Sequence, residues 1–175
     1  MLMIVRQAAS LLALPGVVTI LVPVWIARQD QIVFTFPHDL IGITAVVCGL
    51  VLLAAGAMLF AVCLFYFWTR GHGTLAPWDP PRRFVVEGPY RFVRNPMISG
   101  VISVLLGEAC ILRSTQLAEW AGVFTLANIV YIPALEEPML VARFGQPYLQ
   151  YKTAVRRFLP RLRPWTPPAA SSRLP

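Results

Sequence analysis

Residues 40–68 read LIGITAVVCGLVLLAAGAMLFAVCLFYFW, twenty-nine positions without one charged side chain. As a helix the run would extend roughly 43 Å, more than the hydrocarbon thickness of a bilayer. A tilted span, or one with a protruding cytoplasmic end, is therefore expected. The run closes on Phe65-Tyr66-Phe67-Trp68, an aromatic cluster suited to a membrane–water interface. Helix is the required conformation, because a lone strand in lipid leaves its backbone polar groups unpaired.

Three further apolar segments flank this one. Ala8 to Ala27 is bounded by Arg6 and Arg28 and has the length a bilayer core demands. A cleaved signal peptide is the alternative, but the stretch is too long for one and no small-x-small cleavage site follows. Met97 to Leu112 is short and carries Glu108 near its far end, where a structural or interfacial role is expected. Leu117 to Leu135 follows after Arg113-Ser114-Thr115-Gln116, a link short enough to force an antiparallel hairpin. The expected fold is all-α: a polytopic bundle of about four transmembrane helices, the third and fourth a tight hairpin, with a C-terminal amphipathic cytoplasmic helix. The domain is expected to run over 1–163.

Composition agrees. Of the 175 residues 57% are apolar and 13% charged, and mean hydropathy is +0.65. An average soluble domain is roughly 25% charged. A chain this small cannot hide so much apolar surface in a soluble globule, and disorder requires the opposite balance. Net charge is +7, and every cation but Lys152 is an arginine. The charges collect in the loop 70–96 and in the tail, which has no acid after Glu137, whereas the links 28–39 and 113–116 are nearly neutral. Both termini and the 70–96 loop in the cytoplasm satisfy each of these biases. Basic charge is thereby accounted for without nucleic acid, for which no module signature is present. Cys48 and Cys63 would lie roughly 22 Å apart on one helix, too far for a disulfide. His38 and His72 have no close acid or cysteine, so no metal site is expected.

In the tail, Leu140, Phe144, Tyr148, Tyr151, Val155 and Phe158 recur at three- and four-residue steps, an amphipathic helix pattern over about 138–160. Gly145 is expected to end one short helix and Pro147 to open the next. Its apolar face should pack on the bundle or lie in the interface. The Pro- and Ser-rich end, 164–175, is expected to be flexible.

Two clusters can carry chemistry. One is Glu87-Gly88-Pro89-Tyr90-Arg91-Phe92-Val93-Arg94-Asn95-Pro96-Met97, followed by Gly100; the other is Glu136-Glu137 at the end of the fourth apolar segment. The expected topology puts both at one membrane face. Adjacent carboxylates there are costly unless hydrated, paired or used. They can be an interfacial pair neutralised by nearby arginine, or they can recognise a cation in a cofactor pocket. Arg94 can snorkel to headgroups or bind a carboxylate bidentately. Gly100 can allow close helix approach or make room for a ligand. Gly71-x-Gly73 alone lacks the strand and helix context of a dinucleotide loop.

The combination Gly-Pro-Tyr-x-x-x-Arg-Asn-Pro-Met-x-x-Gly (88–100), then Glu-Glu-x-x-Leu-x-x-x-Phe-Gly-x-x-Tyr-x-x-Tyr (136–151) and a basic Leu-Pro ending, resembles the isoprenylcysteine carboxyl methyltransferase family and, more broadly, the membrane phospholipid methyltransferases. The resemblance covers roughly 71–160, and Gly71-x-Gly73-Thr74-x-x-Pro77 looks like the bacterial branch. It implies an integral membrane enzyme that transfers a methyl group from S-adenosylmethionine to a membrane-embedded lipid or isoprenoid-type acceptor. It also implies a cofactor site at the cytoplasmic face. By position Tyr90, Arg94, Asn95, Pro96, Gly100, Glu136, Glu137, Tyr148 and Tyr151 match the cofactor site, with Glu137 and Arg94 as the catalytic pair. Asn95 stands where eukaryotic members usually have His, and Met97 where Tyr is common; Asn can hydrogen-bond but cannot titrate. Arg143, Arg156 or Arg157 can anchor an anionic acceptor. The alternatives are an NADPH-dependent membrane reductase of sterol-reductase-like type, which shares a similar Arg-Asn-Pro segment, and a non-enzymatic membrane module. Small size and an arginine-rich, lysine-poor composition favour a bacterial plasma membrane.

Overall fold

The computed structural model describes residues 12–71 and 84–167, and every regular element among them is helical. A π-helical segment, Leu12–Leu21, leads into α1 (Val22–Gln29). Then come α2 (Leu40–Tyr66), α3 (Pro96–Leu112), α4 (Thr115–Tyr131), α5 (Glu137–Phe144) and α6 (Gln146–Ala154). A π turn extends α2 through Phe67–Gly71, a second joins α4 to α5 through Ile132–Glu136, and Gly88–Arg91 forms a single 3-10 turn. Two helical stretches are long and apolar enough to cross a membrane, Leu40–Arg70 and Thr115–Phe144; Pro15–Gln29 and Pro96–Leu112 are shorter apolar helices.

Local chemistry sets the ends. The Asp39 carboxylate accepts from the Gly42 N–H at 2.9 Å and caps α2. Pro96 opens α3, where a missing N–H costs nothing. Arg113 adopts a left-handed conformation, φ 50°, directly after α3, and Ser114 Oγ accepts from the Leu117 N–H to start α4. Only Arg113 and Ser114 separate the two helices. The Arg113 guanidinium donates to Thr35 Oγ1 at 3.1 Å, which brings the 30–39 link to the α3–α4 turn.

The helix packing is inverted relative to a water-soluble protein. The buried positions of α2 are Gly42, Gly49, Gly56 and Cys63, one in seven. Leu40, Ile41, Val51 and Met58 are exposed. Seven residues are close to two helical turns, so the small residues form one line along the helix. That line meets Gly100 and Gly107 of α3. A Cβ at Gly56 would lie 2.6 Å from the Gly100 carbonyl oxygen, and one at Gly49 would lie 2.8 Å from that of Gly107. The pairing runs antiparallel and lets backbone touch backbone. Such packing drives helix association in lipid, where large apolar side chains gain nothing by turning inward. A second cluster, Val101, Leu105 and Ala121 with Phe60, Trp120, Phe124 and Val18, joins α2, α3, α4 and the N-terminal segment. Trp120 Nε1–H donates to the Val18 carbonyl at 3.0 Å.

In the tail the break falls at Gly145, φ 58°, ψ −134°, with Pro147 in the first turn of α6, as the residue pattern indicates. The helix does not continue to 160. It ends at Ala154, and Val155 is extended, because the chain beyond it finds backbone partners in the loop before α3. Arg94 N–H donates to Arg156 O at 2.9 Å and Asn95 N–H to Arg157 O at 3.1 Å; Arg161 and Trp165 N–H groups reach Phe92 O and Arg91 O. The apolar face of the tail packs chiefly on this loop. Tyr148, Tyr151 and Val155 are buried with Phe84, Val86, Phe144 and Trp165. Past Arg163 the chain still makes contacts: Trp165 packs edge-on against Tyr151 at 5.4 Å, and Arg91 donates to Trp165 O and Thr166 Oγ1. Residues 168–175, like the Gly73–Pro77 element and residues 8–11 of the first apolar segment, lie outside the described residues.

The glycine line yields a stability test. Gly56→Ala should lower the unfolding midpoint in detergent, costing on the order of 1–3 kcal/mol as overpacking. Gly122→Ala, where a Cβ meets nothing within 4 Å, should be neutral or stabilising.

Candidate functional site

The loop before α3 and the end of the α4 helix meet at one end of the bundle, and Glu137 is where they join. Its side chain is 2% exposed. Arg157 grips it with two donors, Nε to Oε1 at 2.6 Å and Nη2 to Oε2 at 3.1 Å. Lys152 Nζ lies 2.8 Å from Oε2, and Arg94 Nη1 lies 3.0 Å from Oε1. Three chain segments thus converge on one carboxylate. Burial alone would raise its pKa, but the hydrogen bonds from Arg157 and Lys152 and the charges of Arg94 and Arg157 outweigh it and hold the group at about 2.

Glu136, one residue earlier, has a different environment. It is half-buried and has no ion pair among the described residues. Burial, and then the neighbouring Glu137 charge, push its pKa up. The π turn Ile132–Glu136, with Pro133 in it and Pro138 after it, rephases the helix between α4 and α5. Such turns recur at functional sites.

Tyr90 sits in the 3-10 turn and its hydroxyl is pushed well above its usual pKa, first by burial and then by Cys63, Tyr151 and Glu136 close by. Tyr148 is raised to about 12, chiefly by burial, with Glu137, Arg94 and Glu136 as charged neighbours. Glu136 is thus a charged neighbour of both tyrosines. The Tyr151 hydroxyl donates to Tyr90 O at 2.6 Å and so ties the loop to α6. Arg94, with a side chain only 10% exposed, keeps a buried Nε with no partner among the described residues. Its Nη1 is within ion-pair reach of Glu137 but out of line for a hydrogen bond.

The positions singled out in the sequence fall into two groups. Tyr90, Arg94, Asn95, Glu136, Glu137, Tyr148 and Tyr151 gather at this end of the bundle. Pro96 is buried there as the first residue of α3. Asn95 caps α3 through its carbonyl, which accepts from Ser99, while its side chain makes no cap. Gly100 belongs to the helix interface, its open face filled by Gly56 and Phe60. Lys152 and Arg157 as partners of Glu137 were not legible from the sequence. Their only signal was an acid-free basic tail following a Glu-Glu pair.

A buried guanidinium nitrogen without a partner and a carboxylate without an ion pair, both among the described residues, together with two tyrosine hydroxyls, make a set of donors and acceptors of both charge signs. A comparison with family models matches residues 46–147, more than half of the chain, to a family described as phospholipid methyltransferase. The match includes the loop from Tyr90 to Gly100 and the Glu136-Glu137 pair, and ends just before Tyr148. No curated protein and no solved structure matches the chain.

The lowered pKa of Glu137 sets an acid-stability window. Its contribution is complete above the ordinary carboxylate value of 4.5 and is lost as pH falls through that value to about 2. Glu137→Gln should unfold more readily at neutral pH, by about 2 kcal/mol once screening of the partly exposed Lys152 and Arg157 is allowed for. It should also lose less of its remaining stability than the wild type between those pH values, as read by thermal unfolding.

Proposed function

Because the chain belongs to the phospholipid methyltransferase family, we propose that it is an integral membrane enzyme that transfers a methyl group from S-adenosylmethionine to a lipid or isoprenoid-type acceptor held in the bilayer. The observation that carries this reading is that the half-buried Glu136, with no ion pair among the described residues, and Arg94, with a buried Nε that has no partner there, are both charged neighbours of Tyr148. S-adenosylmethionine supplies a methyl carbon made electrophilic by the sulfonium, together with an ammonium and a carboxylate that need opposite charges. Arg94 holds the carboxylate, and Glu136 receives the cationic part. Tyr90, Tyr148 and the Asn95 amide, which makes no helix cap, offer hydrogen bonds to the remainder. Glu137 acts through Arg94, whose charge it balances and whose guanidinium it orients, so it is a positioning residue. Tyr151 holds the Tyr90 backbone in place. Methyl transfer requires alignment of acceptor, methyl and sulfur in a site shielded from water, and this chain contributes the alignment. The family match lends no support to the reductase alternative.

In this reading the four apolar helical stretches cross the bilayer, the last over about 117–135 so that Glu136 and Glu137 lie at its cytoplasmic end, with α3 and α4 a hairpin and both termini and the Tyr90–Pro96 loop in the cytoplasm. The Arg113–Thr35 hydrogen bond at one end and the Arg94–Glu137 pair at the other support that arrangement. The arginine-rich composition favours a bacterial plasma membrane.

Calorimetric titration of the detergent-purified protein with S-adenosylhomocysteine tests the cofactor without knowledge of the acceptor. One saturable site is expected, and Glu136→Gln should weaken binding of the cationic S-adenosylmethionine at least tenfold without lowering the unfolding midpoint. S-adenosylmethionine affinity should rise with pH through the raised Glu136 pKa, and this dependence should vanish in the variant. Absence of saturable binding by the folded wild type would overturn the cofactor, and unchanged affinity in Glu136→Gln would overturn the role of Glu136.

A further inference from the structure

Two open cavities lie side by side next to this site, sharing Ile129 and Phe158 as a common wall. The first, of about 400 Å³, is bounded by Arg94, Lys152, Arg156 and Arg157. Glu137 is the only carboxylate in contact with these cations among the described residues, and it meets Arg94, Lys152 and Arg157, leaving the Arg156 side chain without an ion pair there. Four cations against Glu137 and the neighbouring Glu136 leave this end with a net positive charge, which favours anions. The second cavity, of about 410 Å³, lies between Ser99, Ile102 and Ser103 of α3 and Thr125 and Ile129 of α4. Its lining is nearly all carbon. The Ser99 and Thr125 hydroxyls turn back to the Asn95 and Ala121 carbonyls of their own helices and are not offered to a ligand.

We infer that the two cavities form one site for a lipid whose head carries a phosphate and a net negative charge. The head is held by Lys152, Arg156 and Arg157, and the chain lies in the α3–α4 cleft beyond Phe158. Charge selects the head, since a zwitterionic lipid would bring its own cation into a cavity already rich in them. The carbon-lined cleft is what makes the ligand an amphiphile and not a free anion, because only a chain gains by filling it. These three cations lie in the tail beyond residue 147, where the family match ends. The inference rests on the proposed function for the lipid's role as acceptor, but not for its binding.

The test is calorimetric titration of the purified full chain in neutral detergent with dihexanoyl phosphatidic acid, dihexanoyl phosphatidylcholine and inorganic phosphate. Phosphatidic acid should bind at least tenfold more tightly than either of the others, with an affinity that falls as salt rises. Arg156→Gln and Thr153→Glu, both at the exposed rim of the cavity, should each weaken phosphatidic acid about tenfold while leaving the unfolding midpoint unchanged. Phe158→Ala should weaken phosphatidic acid and spare inorganic phosphate. Saturating S-adenosylhomocysteine should not displace the lipid. Equal affinity for the two lipids, salt-independent binding or wild-type binding by both rim variants would overturn the inference. So would inorganic phosphate binding as tightly as the lipid, or competitive displacement by S-adenosylhomocysteine. Failure of S-adenosylhomocysteine to bind at all would overturn the proposed function and leave these lipid results to stand by themselves.

Discussion

A carboxylate that is 2% exposed at the end of a bundle must be neutralised, and Glu137 is neutralised by three cations drawn from separate parts of the chain. Arg94 comes from the loop before α3, Lys152 from α6 and Arg157 from the segment after it. Leaving such a charge unpaired would cost several kcal/mol, so the ion cluster holds loop, tail and helix end together. The neighbouring contacts reinforce it. The Tyr151 hydroxyl reaches Tyr90 O, and backbone bonds from Arg94 and Asn95 reach Arg156 and Arg157. The candidate site's residues gather beside this closure.

The two adjacent glutamates consequently have opposite characters. Glu137 is held ionised by its partners. Glu136, one residue away, has no cation paired with it among the described residues, and burial raises its pKa. Arg94 belongs to both environments, with one nitrogen near Glu137 and another buried without a partner. A site built this way keeps its recognition groups fixed by a structural cluster instead of relying on the ligand to order them, which lowers the entropic cost of binding.

The apolar helices are organised by a separate constraint. Gly42, Gly49, Gly56 and Cys63 fall on one line of α2, and Gly100 and Gly107 answer it from α3. This contact fixes the height of α3 against α2 and therefore the level at which the Tyr90–Asn95 loop leaves the bundle. Gly100, which sequence alone allowed to be either a packing residue or a ligand residue, is filled by Gly56 and Phe60. The choice depends on what lies opposite the glycine, and no local pattern records that.

Much of the architecture was readable from hydropathy, charge and punctuation. The apolar runs became helices because lipid forbids unpaired backbone, Pro96 and Ser114 mark helix starts, and Gly145 marks a break by its left-handed φ. The motif positions around Arg94 and Glu136-Glu137 were visible as residues out of place in an apolar chain. What the tertiary structure alone decided is the pairing: which glutamate is neutralised, by which cations, and where the tail stops being helical. The amphipathic period in the tail continues to Phe158, yet helix ends at Ala154 because Arg156 and Arg157 give their carbonyls to a loop about sixty residues earlier in the chain. Periodicity reports a preference within one segment. Long-range hydrogen bonds and ion pairs depend on which segments the packed helices bring together, and that information exists only once the chain has folded.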